Sequence, residues 1–442
     1  MPPGDRRDTG TDWVLVRSMD GSGSTEKKGM FRALQESWTL FLGLLLLMIS
    51  NGLLVTLLTL RGAELGFSQT TIGIMQACYP LGALVGCVVA PRLIEQVGHI
   101  RTFGALASLC STAALIHMLT QDPFSWSAMR FLAGFCFTGL YVIAESWLNA
   151  RAQNQNRAAI LSIYFIVQTG GSASGVAMVG LPDPTGGLLF AMTSILVSIC
   201  LVPMLITRIQ APDYSAPDRL SIRTLIGISP MAVSGAVLNG MVQVALFVGL
   251  PLYGLALGMS GGQAASLLVI VTLSGAVSQF PIGWLSDRVD RRLVVAGASL
   301  IGTVLFCLLA LGPSGVWLYV TLAGMAAVTF PIYSLCVAHA NDRLLPNQIV
   351  PASGTLVMAL NVGSLTGALL GPAAIRVFGA SGFMIVMAGL AFITFGIAWL
   401  RTSRSAAPLE TGPTTAIAAV GAQGIGELTQ PDHSIDPRNE TL

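Results

Sequence analysis

Residues 59–68 read TLRGAELGFS and residues 251–260 read PLYGLALGMS, each closing a long apolar run. The two stretches lie 251 − 59 = 192 positions apart. At that offset Leu60 and Leu252, Gly62 and Gly254, Leu65 and Leu257, Gly66 and Gly258, and Ser68 and Ser260 are identical. Elsewhere it pairs Tyr141 with Tyr333, Asn149 with Asn341, Arg151 with Arg343, Gly171 with Gly363 and Gly175 with Gly367. Small residues recur wherever membrane helices pack closely, but Asn and Arg repeated in polar loops do not follow from packing. The chain reads as one unit written twice.

Composition sets the class. Of 442 residues, 53% are hydrophobic and 10% charged, against about 25% charged in a soluble protein. About 20 apolar residues cross a bilayer as a helix. Twelve such runs lie near residues 38–60, 72–94, 102–120, 124–148, 158–180, 187–206, 226–250, 264–285, 294–311, 316–338, 350–375 and 383–400. The expected fold is an all-α polytopic membrane protein, twelve transmembrane helices in two pseudo-symmetric six-helix halves. Residues 1–36 are expected to form an N-terminal tail, 37–208 the first half, 209–225 a linker, 226–400 the second half and 401–442 a disordered C-terminal tail.

Twenty of the 23 basic residues fall in the two tails and the even-numbered loops, while the odd-numbered loops hold only Arg61 and Arg376. Because basic loops stay on the cytoplasmic side, both termini are read as cytoplasmic. The net charge of +2 is thus sorted across the membrane, and no nucleic-acid partner follows from it. The first apolar run comes after 37 polar residues and is followed by others, which argues against a cleaved leader. All seven cysteines (Cys78, Cys87, Cys110, Cys136, Cys200, Cys307 and Cys336) fall inside the spans without metal-ligand spacing and are read as packing residues.

The only lysines are Lys27 and Lys28, so no phosphate-cradling loop ending in Gly-Lys-Ser/Thr exists and an ATP-driven pump is excluded for this chain. The four histidines (His99, His117, His339 and His433) are scattered, and neither HExxH nor GxSxG occurs. An enzyme lacks its constellation, and no metal or cofactor is expected. A channel or a transporter-like sensor needs neither.

Gly283 to Arg292 read GWLSDRVDRR, and Pro91 to Arg101 read PRLIEQVGHIR, with 287 − 95 = 192 aligning Asp287 with Glu95. The first of these resembles the cytoplasmic signature of the major facilitator superfamily; the second retains Gly98 and Arg101 but carries Glu95 and Gln96 in place of Asp-Arg. RFLAG at residues 130–134 resembles the superfamily's span-four arginine motif. ESWLNAR (145–151) and AHANDR (338–343) are similar to a bacterial subgroup whose substrates are mostly unassigned. GGSASG (170–175) lacks the Gly-Pro signature of drug/proton antiporters. The resemblance implies a monomeric secondary transporter in the bacterial cytoplasmic (inner) membrane, moving a small organic solute by alternating access with proton coupling. It also implies gate roles for Glu95, Gly98, Arg101, Gly283, Asp287, Arg288, Arg291 and Arg292. Drug or metabolite efflux is the alternative within the same class.

Charges inside a bilayer cost several kcal/mol and mark function by default. Arg130 is a candidate for holding an anionic group, or else a helix lock. Glu145, about 22 Å further along the same helix at 1.5 Å per residue, is a candidate proton carrier or inner-gate residue pairing with Arg101 or Arg151. Asn51 and Asn239, each followed by glycine near mid-span, are expected to line a central cavity with Gln243, Tyr79, Tyr141, Gln168, Tyr333 and Asn361, or else to bond neighbouring helices. Pro281 and Pro331 are expected to kink spans eight and ten.

Overall fold

The structure, a computed structural model, describes residues 22–151, 157–183, 186–206 and 220–404. The described residues form helices α1 (Ser22–Glu64), α2 (Gln69–Val97), α3 (His99–Leu119), α4 (Pro123–Arg151), α5 (Arg157–Met178), α6 (Leu188–Ile206), α7 (Ile222–Ile228), α8 (Pro230–Ala256), α9 (Gly261–Ser286), α10 (Arg291–Ala310), α11 (Val316–Thr329), α12 (Ile332–Asn341) and α13 (Pro346–Arg404), with no strand among them. A helix satisfies its own backbone, which lipid cannot do for it. Nine stretches of the described residues are long and apolar enough to cross a membrane. One of them, Asn347–Thr402, holds two passes, because Gly379 at φ 72° breaks α13. With α5 and α6 the passes number twelve, α11 and α12 forming one.

Several boundaries differ from the sequence reading. Helix α1 starts at Ser22, well before the apolar run, and the end of the expected linker is the short helix α7. Residues 1–21, 209–219 and 405–442 of the tails and linker lie outside the described residues. Pro331 separates α11 from α12 as expected, whereas α9 runs unbroken through Pro281.

The repeated stretches fold alike, hydrogen bond for hydrogen bond. Leu65 N donates to Arg61 O, Gly66 N to Ala63 O and Phe67 N to Gly62 O; Leu257 N donates to Tyr253 O, Gly258 N to Leu255 O and Met259 N to Gly254 O. Gly66 and Gly258 take φ of 79° and 81°, a left-handed conformation that glycine adopts without a side-chain clash. Ser68 and Ser260 then cap α2 and α9 through their hydroxyls. Two helix ends and two helix starts are built by one short text.

Glycines also set the helix spacing. A Cβ on Gly175 would overlap the Ile49 carbonyl and one on Gly367 the Met241 carbonyl; Gly171 faces Leu45 and Gly363 faces Val237. Each partner is also displaced by 192, so α1 meets α5 as α8 meets the first limb of α13, backbone against backbone. Van der Waals contact of this kind is what joins helices in lipid.

Contacts across the molecule are unequal at its two ends. Leu60 approaches Gly261, Gly180 approaches Gly262, and Arg376 donates to the Thr70 hydroxyl at 2.7 Å. These define a far end, opposite the Ser22 end of α1 and the Arg404 end of α13, which mark the tail end. There one apolar core runs through both sequence halves, joining Leu53, Leu54 and Met75 to Leu246, Leu268 and Met384. Toward the tail end the core divides into one cluster around Leu47, Phe137 and Tyr141 and another around Ala236, Leu335 and Leu356.

Candidate functional site

A polar ladder crosses α1, α2 and α4. The guanidinium carbon of Arg130, on α4, lies 4.4 Å from the centre of the Tyr79 ring on α2. The Tyr79 hydroxyl donates to Asn51 Oδ1 at 3.4 Å, and Asn51 Nδ2 donates to the Tyr141 hydroxyl at 2.9 Å. Phe137 flanks the ladder, its ring centre 6.3 Å from that of Tyr79 and 6.0 Å from that of Tyr141. The helices meet closely there, since a Cβ on Gly134, one turn from Arg130, would overlap the Tyr79 carbonyl. Arg130 is only 2% exposed, and its Nε and Nη1 atoms are buried without a hydrogen-bond partner. Asn51 of α1 and Arg130 and Tyr141 of α4 are thus gathered around Tyr79 of α2.

Glu145 sits further along α4, toward the tail end. It is the one buried carboxylate among the described residues. The Tyr164 hydroxyl, on α5, donates to Glu145 Oε1, while Oε2 is buried without a partner. The expected pairing with Arg101 is not formed, because Arg101 is exposed on α3; the Arg151 side chain lies outside the described residues. Tyr164 was not singled out in the sequence, since only the fold brings it beside Glu145. Tyr333, the repeat counterpart of Tyr141, also has a buried hydroxyl without a partner.

The second half uses its amides differently. Asn239 Nδ2 donates to the Thr329 carbonyl at 2.9 Å and Gln243 Nε2 to the Phe330 carbonyl at 3.4 Å. Those carbonyls adjoin the break at Pro331, where the helical ladder is interrupted, so the two amides support a kink. Asn361 donates to Val357 O, four residues back on its own helix, and Gln168 Oε1 is buried without a partner. A cavity of about 420 Å³ opens at the far end, lined by Arg61, His117, Trp126 and Phe190 among others, and none of the expected site residues lines it.

The tail-end loop between α9 and α10 carries an ion-pair network. Arg291 reaches Asp287 at 3.3 Å and Asp342, beyond α12, at 3.1 Å. Arg292 pairs with Asp290 at 2.7 Å and donates to the Arg401 carbonyl at 3.1 Å. Hydrogen bonds from Arg292 hold the Asp290 carboxyl below the usual carboxylate range, and burial pushes that of Asp342 up. Arg288 lies over the Trp284 ring at 3.6 Å, and Gly283 O accepts from Asp287 N. These pairs brace elements of the second half against one another. In the first half, Gly98 ends α2 at φ 88°, and Glu95 and Arg101 are exposed.

The Major Facilitator Superfamily matches residues 40–260 and 232–427. An uncharacterized MFS-type transporter of Yersinia enterocolitica is 27% identical over 356 residues, covering 80% of this chain and 92% of that protein. The crystal structure of a mutant of the nucleoside transporter NupG superposes with a TM-score of 0.70 at 14% identity, covering 82% of this chain and 98% of that one. A bacterial homologue of the lysosomal transporter Spinster, in an inward-facing and unoccupied conformation, gives a TM-score of 0.70 at 14% identity over 84% of this chain and 97% of that one. At such identity the two structures establish the fold. An all-helical membrane protein with this fold and a family match along most of its length is a small-molecule transporter and not an enzyme: the chain belongs to the Major Facilitator Superfamily.

Proposed function

We propose that the protein is a proton-coupled secondary transporter of a small organic solute in the bacterial inner membrane, with both termini cytoplasmic. Its two halves rock about a central site. The observation that carries this reading is the unequal core: one body of apolar side chains at the far end, two separate bodies toward the tail end. In the proposed orientation the conformation is closed to the outside, and toward the cytoplasm its core is divided, with Phe165 of α5 against Phe280 of α9 and Cys87 of α2 against the second-half cluster as contacts that remain across it. A continuous pore would require separation at both ends together.

Glu145 is the proposed coupling acid. Buried between α4 and α5 with one oxygen held by Tyr164 and the other without a partner, it carries a charge that the membrane interior disfavours and a proton would remove. The test uses spin-label pairs across the far end and across the tail end of the protein in nanodiscs, in acidic and alkaline buffer. The expected result is that one distance grows as the other shrinks, and that Glu145→Gln abolishes the response to pH. Both distances growing together would favour a channel, and an unaltered pH response in the variant would remove Glu145 from the coupling.

A further inference from the structure

We infer that Arg130, Tyr79, Asn51 and Tyr141 bind a small organic monoanion, and that this monoanion is the transported solute. The inference rests on the transport reading above and supplies its substrate class.

Arg130 carries a full charge into the membrane interior, where an uncompensated guanidinium costs several kcal/mol. Stacking on Tyr79 at 4.4 Å offsets part of that cost. No carboxylate offsets the rest: the one buried acid among the described residues is Glu145, about 22 Å away along the helix at 1.5 Å per residue, with Tyr164 as its partner.

Counting donors and acceptors gives the sign of the missing group. Arg130 Nε and Nη1 have hydrogens and no acceptor. Both ends of the Asn51 amide are engaged, its oxygen by Tyr79 and its nitrogen by Tyr141. The Tyr141 oxygen accepts from Asn51 and its hydroxyl hydrogen is directed at the Tyr79 oxygen, so the free donors of the ladder are those of Arg130. The ladder is therefore rich in donors and short of acceptors, and its charged end suits a carboxylate through charge-assisted hydrogen bonds.

The count of charges sets the valence. One guanidinium neutralises one negative charge, and a dianion would bring an uncompensated charge into the bilayer. The geometry also favours an organic body over a bare halide. The Tyr79 and Phe137 rings lie beside one another next to the guanidinium, so a solute with an apolar or ring portion would pack on them while its anionic group meets Arg130. A halide would meet Arg130 alone.

The test is thermal unfolding of the purified protein in nanodiscs against sodium lactate, benzoate and gluconate, with succinate, sodium chloride, glucose and tetraethylammonium as comparators. An organic monoanion should raise the melting temperature in step with log concentration above its Kd. Arg130→Gln should weaken its apparent affinity roughly ten- to a hundredfold, the usual weight of a hydrogen-bonded charge. Stabilisation by none of the monoanions, by neutral or cationic solutes only, or to the same extent in Arg130→Gln would overturn the inference. Chloride acting alone would make the group a resident counter-ion and overturn the substrate assignment. Should Arg130→Gln not fold, phenylglyoxal modification of the wild type, read by the mass of the peptide carrying Arg130, replaces it: a stabilising monoanion must slow that modification, and no protection refutes the site. Because binding is read without transport, a failed pH response with intact monoanion binding would remove the coupling scheme and leave the anion site standing.

Discussion

Arg130 and Arg292 are both 2% exposed, yet their surroundings are opposite. Arg292 has the Asp290 carboxylate and the Arg401 carbonyl, whereas Arg130 has an aromatic face and two nitrogens without acceptors. One guanidinium holds a loop to a helix end, and the other is the proposed anion site. Asp290 is held below the ordinary carboxylate range by Arg292, so its contribution to stability is complete above the unfolded value and fades as pH falls through the depressed one. Asp290→Asn should therefore unfold at a lower temperature than the wild type at neutral pH, and the gap should close in strongly acidic buffer. A gap that persisted there would mean that the carboxylate acts by shape alone. At this scale the sequence revealed charges and concealed neutral partners. Arg130 and Glu145 stood out because apolar runs rarely contain them; Tyr164 and the hub role of Tyr79 did not, because only the fold brings residues 79 and 51, or 164 and 145, together.

Among the elements, helix pairs carry the duplication most directly. Gly175 on Ile49 and Gly367 on Met241 are one contact built twice, and each leaves no volume for a side chain. Gly175→Ala and Gly367→Ala should each cost about 1–3 kcal/mol through overpacking, and leucine at either position should cost more, measured by thermal unfolding in nanodiscs. Tolerance of leucine at one position alone would show that the two seams differ mechanically. The glycine spacing was legible from the 192-residue offset, since backbone contact needs the same small residue in both copies. The use of Asn239 and Gln243 was not. Their position near mid-span suggested a cavity, but the carbonyls beside the Pro331 break lie within reach and claim their amide hydrogens. Pro331 and Pro281 read alike in sequence, yet only the first interrupts its helix.

For the whole molecule, the twelve passes and their pairing followed from hydropathy and the repeat. The conformation did not, because one sequence must serve every state of a transport cycle, and the repeat makes the states nearly equal in contacts. The proposed orientation has its own check: in intact cells an impermeant maleimide should label a cysteine placed at Asp122, in the α3–α4 loop, and should spare one placed at Asp287, in the α9–α10 loop. Labelling of both from one side would invalidate the topology. The near-touching glycines at the far end, Gly180 against Gly262 and Gly73 against the Ala368 carbonyl, bring the halves close together there, and helix α8 runs from that end for 27 residues. Such an arrangement is a lever: with an arm of about 40 Å, turning about 10° on that fulcrum would carry the opposite end through about 7 Å, enough to admit a small solute without any helix changing its length.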